Sequence, residues 1–124
     1  MGFTPFVQAP TLALQAATVG PFTLVNGTPT IVSWTAPNDG AEHRAMVVVS
    51  EDITVAATGG AVGWTFTAPD GSAATPTLIA GGQATGAHHA TDMAIVGPGT
   101  TVTIKQSGAL TIGAGVVWAE IWGS

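Results

Sequence analysis

Apolar and polar residues alternate with period two along much of this chain. From Thr100 to Gln106, Val102 and Ile104 fall on one side and Thr101, Thr103 and Lys105 on the other. From Ala61 to Thr67, Val62, Trp64 and Phe66 share a side opposite Gly63, Thr65 and Thr67. From Val116 to Trp122, Val117, Ala119 and Ile121 oppose Val116, Trp118, Glu120 and Trp122. Successive side chains of a strand point to opposite faces, so each stretch predicts a strand with one covered face. The run Ala45-Met46-Val47-Val48-Val49 is apolar at every position. It predicts a central strand covered on both sides, either within its own domain or by a neighbouring subunit.

Turn chemistry separates these stretches. Asn26-Gly27, Pro37-Asn38-Asp39-Gly40 and Pro69-Asp70-Gly71 combine turn-forming residue types, and Gly59-Gly60, Gly81-Gly82 and Gly97-Pro98-Gly99 add further breaks. Strands are predicted near residues 20–25, 29–35, 43–50, 52–57, 61–68, 75–80, 91–96 and 100–122, the last divided at Gly113 to Gly115. Leu12 to Ala17 has the composition of a short helical turn. With 17 glycines and 8 prolines, no long helical period develops anywhere else. The expectation is an all-β, single-domain antiparallel β-sandwich over residues 20–124. About eight strands in two sheets make it a jelly roll. Residues 1–19 form an extended N-terminal arm or an edge strand, since Pro5 and Pro10 favour extended chain.

Charge changes the picture of the surface. Two cations, Arg44 and Lys105, and seven carboxylates are all that 124 residues carry, or 7%. A typical soluble domain has about 25%. The non-core positions are mostly Thr, Ala, Gly, Ser and Pro, which cost little to desolvate. Such a surface suits a protein packed against copies of itself or against a larger assembly. A net charge of −5 with two cations gives no basic face for nucleic acid. No apolar run approaches the roughly 20 residues of a membrane span, and Met1 to Phe6 lacks a basic signal region. The absence of cysteine rules out disulfides and zinc–thiolate sites.

Little in the chain is arranged for catalysis. His88, His89 and Asp92 form the one cluster of metal-ligand type, yet adjacent histidines on a strand face opposite ways. They read first as polar loop residues; in a symmetric oligomer such histidines can instead meet at an axis. His43 has no motif around it. Glu51-Asp52, with Asp39 and Glu42, read as solvated turn charges rather than a glycosidase pair. No G-x-S-x-G elbow or phosphate loop occurs. The chain is expected not to be an enzyme and to hold no cofactor. Of its four tryptophans, Trp64 belongs to the core, while Trp118 and Trp122 share a face with Glu120 and can line a surface. That surface is either a protein interface or a platform for sugar rings. Phe3, Phe6, Val7, Leu12 and Leu14 add apolar side chains with no charge among them, and with Trp118 and Trp122 they form the candidate interface.

Three features together resemble a known family: the lysine-poor Ala/Thr/Gly/Val-rich β-chain, the uncharged segment Gly2 to Ala17, and the closing stretches Gly99 to Lys105 and Gly115 to Trp122. The chain is similar to the small jelly-roll head-decoration and minor capsid proteins of tailed bacteriophages. Its last strands also resemble those of trimeric tumour-necrosis-factor-like heads. The resemblance implies a homotrimer bound to the major capsid protein or another virion protein, made in the host cytoplasm and placed on the capsid surface. The alternative is a carbohydrate-binding or tail-associated receptor-binding β-sandwich using Trp118 and Trp122.

Overall fold

A computed structural model describes residues 11–124, which form ten strands and, among the described residues, no helix. In chain order these are β1 (Ala13–Ala17), β2 (Phe22–Thr23), β3 (Thr30–Thr35), β4 (His43–Gly59) and β5 (Val62–Thr67). There follow β6 (Ala73–Ala74), β7 (Thr77–Ile79), β8 (Gly86–Val96), β9 (Thr101–Gln106) and β10 (Leu110–Gly123). They build two five-stranded sheets with every pairing antiparallel. The first sheet has the order β1-β10-β4-β8, with β2 continuing beside β10. The second runs β3-β9-β5-β6, with β7 also against β5. The inner faces pack together, which makes the domain a β-sandwich.

The predicted alternation sets the core. Val102 and Ile104 of β9, Val62 and Trp64 of β5, and Val117, Ala119 and Ile121 of β10 are all buried. Ala45, Val47, Val49 and Ile53 of β4 lie beside those of β10 in the first sheet, facing β9 and β5 of the second. Each fully buried Val or Ile contributes roughly 1.5–3 kcal/mol relative to exposure. The Trp64 and Phe66 rings pack at a steep angle to each other, 67° between planes. The core extends to Gln106, whose side chain is fully buried and whose amide joins β9 to the chain at Val25.

Several strand boundaries differ from expectation. The strand expected at 91–96 begins at Gly86, because β4 pairs with it as far as Ile53, so His88 and His89 lie in β8 and not in a loop. The one expected at 75–80 is only Thr77–Ile79. Residues 43–50 and 52–57 belong to one strand, because β4 is paired on both sides through Glu51 and Asp52. The stretch 100–122 divides at Ser107 to Ala109 instead of at Gly113 to Gly115. Those glycines lie inside β10, where the register against β4 shifts repeatedly. Gly113 has φ +106°, and a Cβ there would stand 2.6 Å from the Ala56 carbonyl oxygen. It therefore allows β10 to bulge against β4 without ending. Ala13 to Ala17 is a strand, not a helical turn, because β10 offers it an open edge from Gly123 to Glu120.

The Pro-containing turns lie at one end of the sandwich. Asp39 accepts a bond from the Ala41 amide, and Asp70 accepts one from the Ser72 amide. Each carboxylate thereby closes its own turn. The Gly99 loop meets both turns, with Pro69 and Asn38 as its neighbours.

Candidate functional site

The two outer faces of the sandwich have opposite chemistry. On the second sheet the outward positions of β3, β9 and β5 are Ser33 and Thr35, Thr101 and Thr103, and Thr65 and Thr67, as the register sets them. Hydroxyls bond across strands, Ser33 to Thr103 at 3.1 Å and Thr35 to Thr101 at 2.9 Å. Thr65 bonds Thr75 at 3.3 Å. Lys105 lies on this same face, paired with Thr30. This is a face for water.

The first sheet presents apolar side chains instead. One row crosses all four strands in register: Leu14 on β1, Trp122 on β10, Met46 on β4 and Met93 on β8. Beside it lies the row Glu120, Val48 and Thr91, and beyond that Trp118, Ser50 and His89. Arg44 and Ile95 pair on the other side of the apolar row. Ile95 is 66% exposed, Met93 54%, Leu14 48% and Trp118 40%, large values for apolar side chains grouped on one face. Contiguous exposed apolar surface of this kind marks an interaction site. Glu120 and Arg44 have no salt-bridge partner, since the ion pair found among the described residues is His43–Asp39.

The chain matches no protein-family model, no curated protein and no solved structure. Surface chemistry and strand order carry the functional argument.

The candidate interface residues fall into two groups. Leu14, Trp118 and Trp122 share the apolar face, and Leu12 is half-buried just before β1. Phe3, Phe6 and Val7 lie outside the described residues. Sequence reasoning missed Met93 and Ile95. Met93-Ala94-Ile95-Val96 is apolar at every position, the same signal that marked Ala45 to Val49.

His88 and His89 are separated by the pleat of β8. His88 pairs in register with Glu51 on the inward side and donates to the Ala84 carbonyl at 2.7 Å. His89 faces outward and bonds the Ser50 hydroxyl at 3.2 Å. Asp92 accepts a bond from the Met93 amide. Among the described residues no three His, Cys, Asp or Glu side chains converge as a metal would require. A groove of about 480 Å³ opens beside Phe66, Ala74, Ala94, Val96, Ser72 and Thr100, and no titratable side chain lines it.

Glu51, expected in a solvated turn, is instead buried on the inner face of β4, and its Oε2 has no hydrogen-bond partner. The pleat explains this, because Glu51 has the same parity as Val47 and Val49. Burial raises its pKa above the ordinary value, and the nearby His88 charge offsets part of the rise.

His43 is buried between two oxygens, with Nε2 2.8 Å from Asp39 Oδ1 and Nδ1 2.7 Å from the main-chain oxygen of Ser124. A neutral imidazole has one N–H, so two acceptors favour the imidazolium. The Asp39 bond is the main cause of a pKa raised above 6.5, and Ser124 adds to it. The bond to His43 likewise lowers Asp39 below 3.8. A raised histidine stabilises fully below its unfolded value and loses that contribution as pH rises through the folded value. An NMR titration of the His43 ring is expected to show the raised midpoint, and Asp39→Asn is expected to lower it. An unmoved midpoint in that variant would assign the shift elsewhere.

Proposed function

We propose that this chain is a non-enzymatic structural virion protein, a subunit that decorates or cements a bacteriophage capsid through homo-oligomeric and capsid contacts. The observation that carries the reading is the contrast between the two outer faces: a continuous apolar row across the first sheet and hydroxyls across the second. A chain with nine charged residues and one wet face is suited to burying its other face in an assembly. Strand order supports the jelly-roll form. From β3 onward the chain passes between the sheets except among β5, β6 and β7, and β9 and β10 each insert between strands formed earlier. The resemblance to trimeric decoration proteins makes a homotrimer on the capsid surface the expected state.

Peptide mass spectrometry of purified virions tests the role. Detection in the particle at a copy number fixed by the symmetry of the shell supports it. Confinement to the lysate, with none in particles, rejects it.

Residues 2–10 are uncharged and contain Phe3, Phe6 and Val7. In this reading they contact a neighbouring protein. A truncation must spare β1 (Ala13–Ala17), which completes the first sheet. Removing residues 2–10 is expected to leave the circular dichroism of the sandwich unchanged and to abolish particle attachment. Undiminished attachment would exclude this segment from the contact.

The exposure of Trp118 on an open sheet face favours a second reading, a carbohydrate-binding or tail-associated receptor-binding module. Glycan-array binding that disappears in Trp118→Ala would favour that reading. An empty array would leave the capsid role ahead.

A further inference from the structure

The charges on the apolar face are arranged for a second copy of the same chain. Glu120 stands between Trp118 and Trp122 along β10, with Val48 beside it on β4 and Ala17 beside it on β1. If this face is covered, the carboxylate leaves water among apolar neighbours, and a buried charge without a partner is strongly unfavourable. A cover for this face must therefore bring a cation to Glu120.

The chain has two cations, and they lie on opposite faces. Lys105 is on the hydroxyl face, paired with Thr30. Arg44 is on the apolar face, paired with Ile95. Within one chain Arg44 cannot serve Glu120. The register partner of Glu120 is Val48, four residues along β4 from Arg44, a separation of about 13 Å at about 3.3 Å per residue. Between two copies the obstacle disappears, because a face holding both signs at separate positions is complementary to itself. Arginine also suits this task, since its planar guanidinium grips a carboxylate through two parallel bonds. Of the other polar groups, Thr91 lies beside Val48 in the Glu120 row, Asp52, Ser50 and His89 lie toward the end away from Arg44, and Glu42 borders Arg44 at the near end.

The size of the face is adequate. Three strands crossed over nine residues of β4, with the five residues of β1 beside them and strands about 4.8 Å apart, span roughly 500 Å² in plan. Side-chain relief raises that toward the ~800 Å² per partner of a standard interface.

We propose that a second copy of this chain covers the outer face of the β1-β10-β4-β8 sheet, with Arg44 set against the partner subunit's Glu120. The inference rests on the structural reading only in needing self-assembly, and it names the surface and the charge pair that fix the register.

Light scattering coupled to size exclusion tests it on the wild type, Glu120→Arg, Arg44→Glu and the double variant E120R/R44E. A self-complementary face closes about a twofold axis, so the wild type is expected to hold an even number of 12.3 kDa chains, two, or six where a threefold contact forms as well. A plain trimer would overturn the pairing. Each single variant is expected to fall to the monomer, and the double variant to recover the oligomer. Lys105→Glu, on the other face, is expected to assemble as the wild type does. A monomeric wild type, single variants that still assemble, or a folded double variant that stays monomeric would each overturn the proposal.

If circular dichroism shows a charge variant unfolded, cysteine pairing decides. The chain has no cysteine of its own, so mixed Arg44→Cys and Glu120→Cys chains should form an inter-chain disulfide under mild oxidation. Failure of that mixture to cross-link overturns the pairing. A monomeric wild type found in virions would remove this interface and leave the structural role intact. Assembly through this pair with no virion association would do the reverse.

Discussion

Gln106→Leu is expected to lower the unfolding free energy by about 3 kcal/mol, although leucine is close in size and more apolar. The Gln106 amide has its bonding capacity well used inside the sandwich. Its Oε1 accepts from the Val25 amide at 3.1 Å, and its Nε2 donates to the Val25 carbonyl at 2.6 Å and the Gly108 carbonyl at 2.9 Å. Leucine would strand the Val25 amide and the Gly108 carbonyl. The Val25 carbonyl would keep the Leu110 amide, 2.9 Å away. The amide that serves both groups is fully buried, and a polar group left without a partner out of reach of water costs about 1–3 kcal/mol, which outweighs the apolar gain of the substitution. Urea unfolding should show the loss as a lower midpoint with an unchanged slope. A midpoint within error of the wild type would mean that water replaces the amide at this end of the sandwich.

Glu51→Leu is expected to act in the opposite direction, stabilising the chain by about 2 kcal/mol at neutral pH. It removes a buried carboxylate oxygen that has no partner. The gain should depend on pH. Burial raises the Glu51 pKa above 4.5, so the folded chain binds this proton more tightly than the unfolded chain does. The stabilisation linked to that proton is complete below 4.5 and is lost as pH rises through the raised value. The advantage of the leucine variant should therefore shrink toward pH 4. Urea midpoints of the two proteins across this range give the answer, and a constant difference would reject the titration argument.

The wild type is most stable where the contributions of these titrating groups overlap. Asp39 and Asp70 have pKa values lowered by hydrogen bonds, chiefly from His43 and Ser72 respectively, so their contributions fade as pH falls below 3.8. The Glu51 contribution fades above 4.5 and that of His43 above 6.5. The stability maximum is expected in mildly acidic solution, not at neutrality.

The sandwich was legible because the pleat writes itself into the sequence. Val62-Trp64-Phe66, Val102-Ile104 and Val117-Ala119-Ile121 alternate with Thr, Gly, Glu or the outward Trp118, and all but the half-buried Phe66 are closed off in the core. Charge misled the reading at Glu51-Asp52, where a carboxylate pair suggests a turn. Pairing on both sides of β4 holds Glu51 inside, a tertiary effect that no local window contains. Glycine misled it at Gly113, since a residue that ends one strand can bulge another. Of the apolar face, Trp118 and Trp122 were visible through their parity with Glu120. Their alignment with Leu14, Met46 and Met93 depends on which strands are neighbours, and that is fixed by the crossovers between the sheets. Trp34 shows the same limit, since its ring lies against Gly123 of the other sheet, 2.5 Å from where a Cβ would stand.

The unequal wetting of the two faces has a consequence for handling the protein. A single chain is a thin plate with threonine hydroxyls on one side and Trp, Met, Leu and Ile on the other. Such a plate behaves as a two-sided surfactant. At an air–water boundary it should adsorb in one orientation, the tryptophan side leaving the water and the threonine side facing it. Films spread for electron microscopy should therefore show the dispersed chain in one dominant view, whereas the assembled protein, with that side covered, should tumble freely.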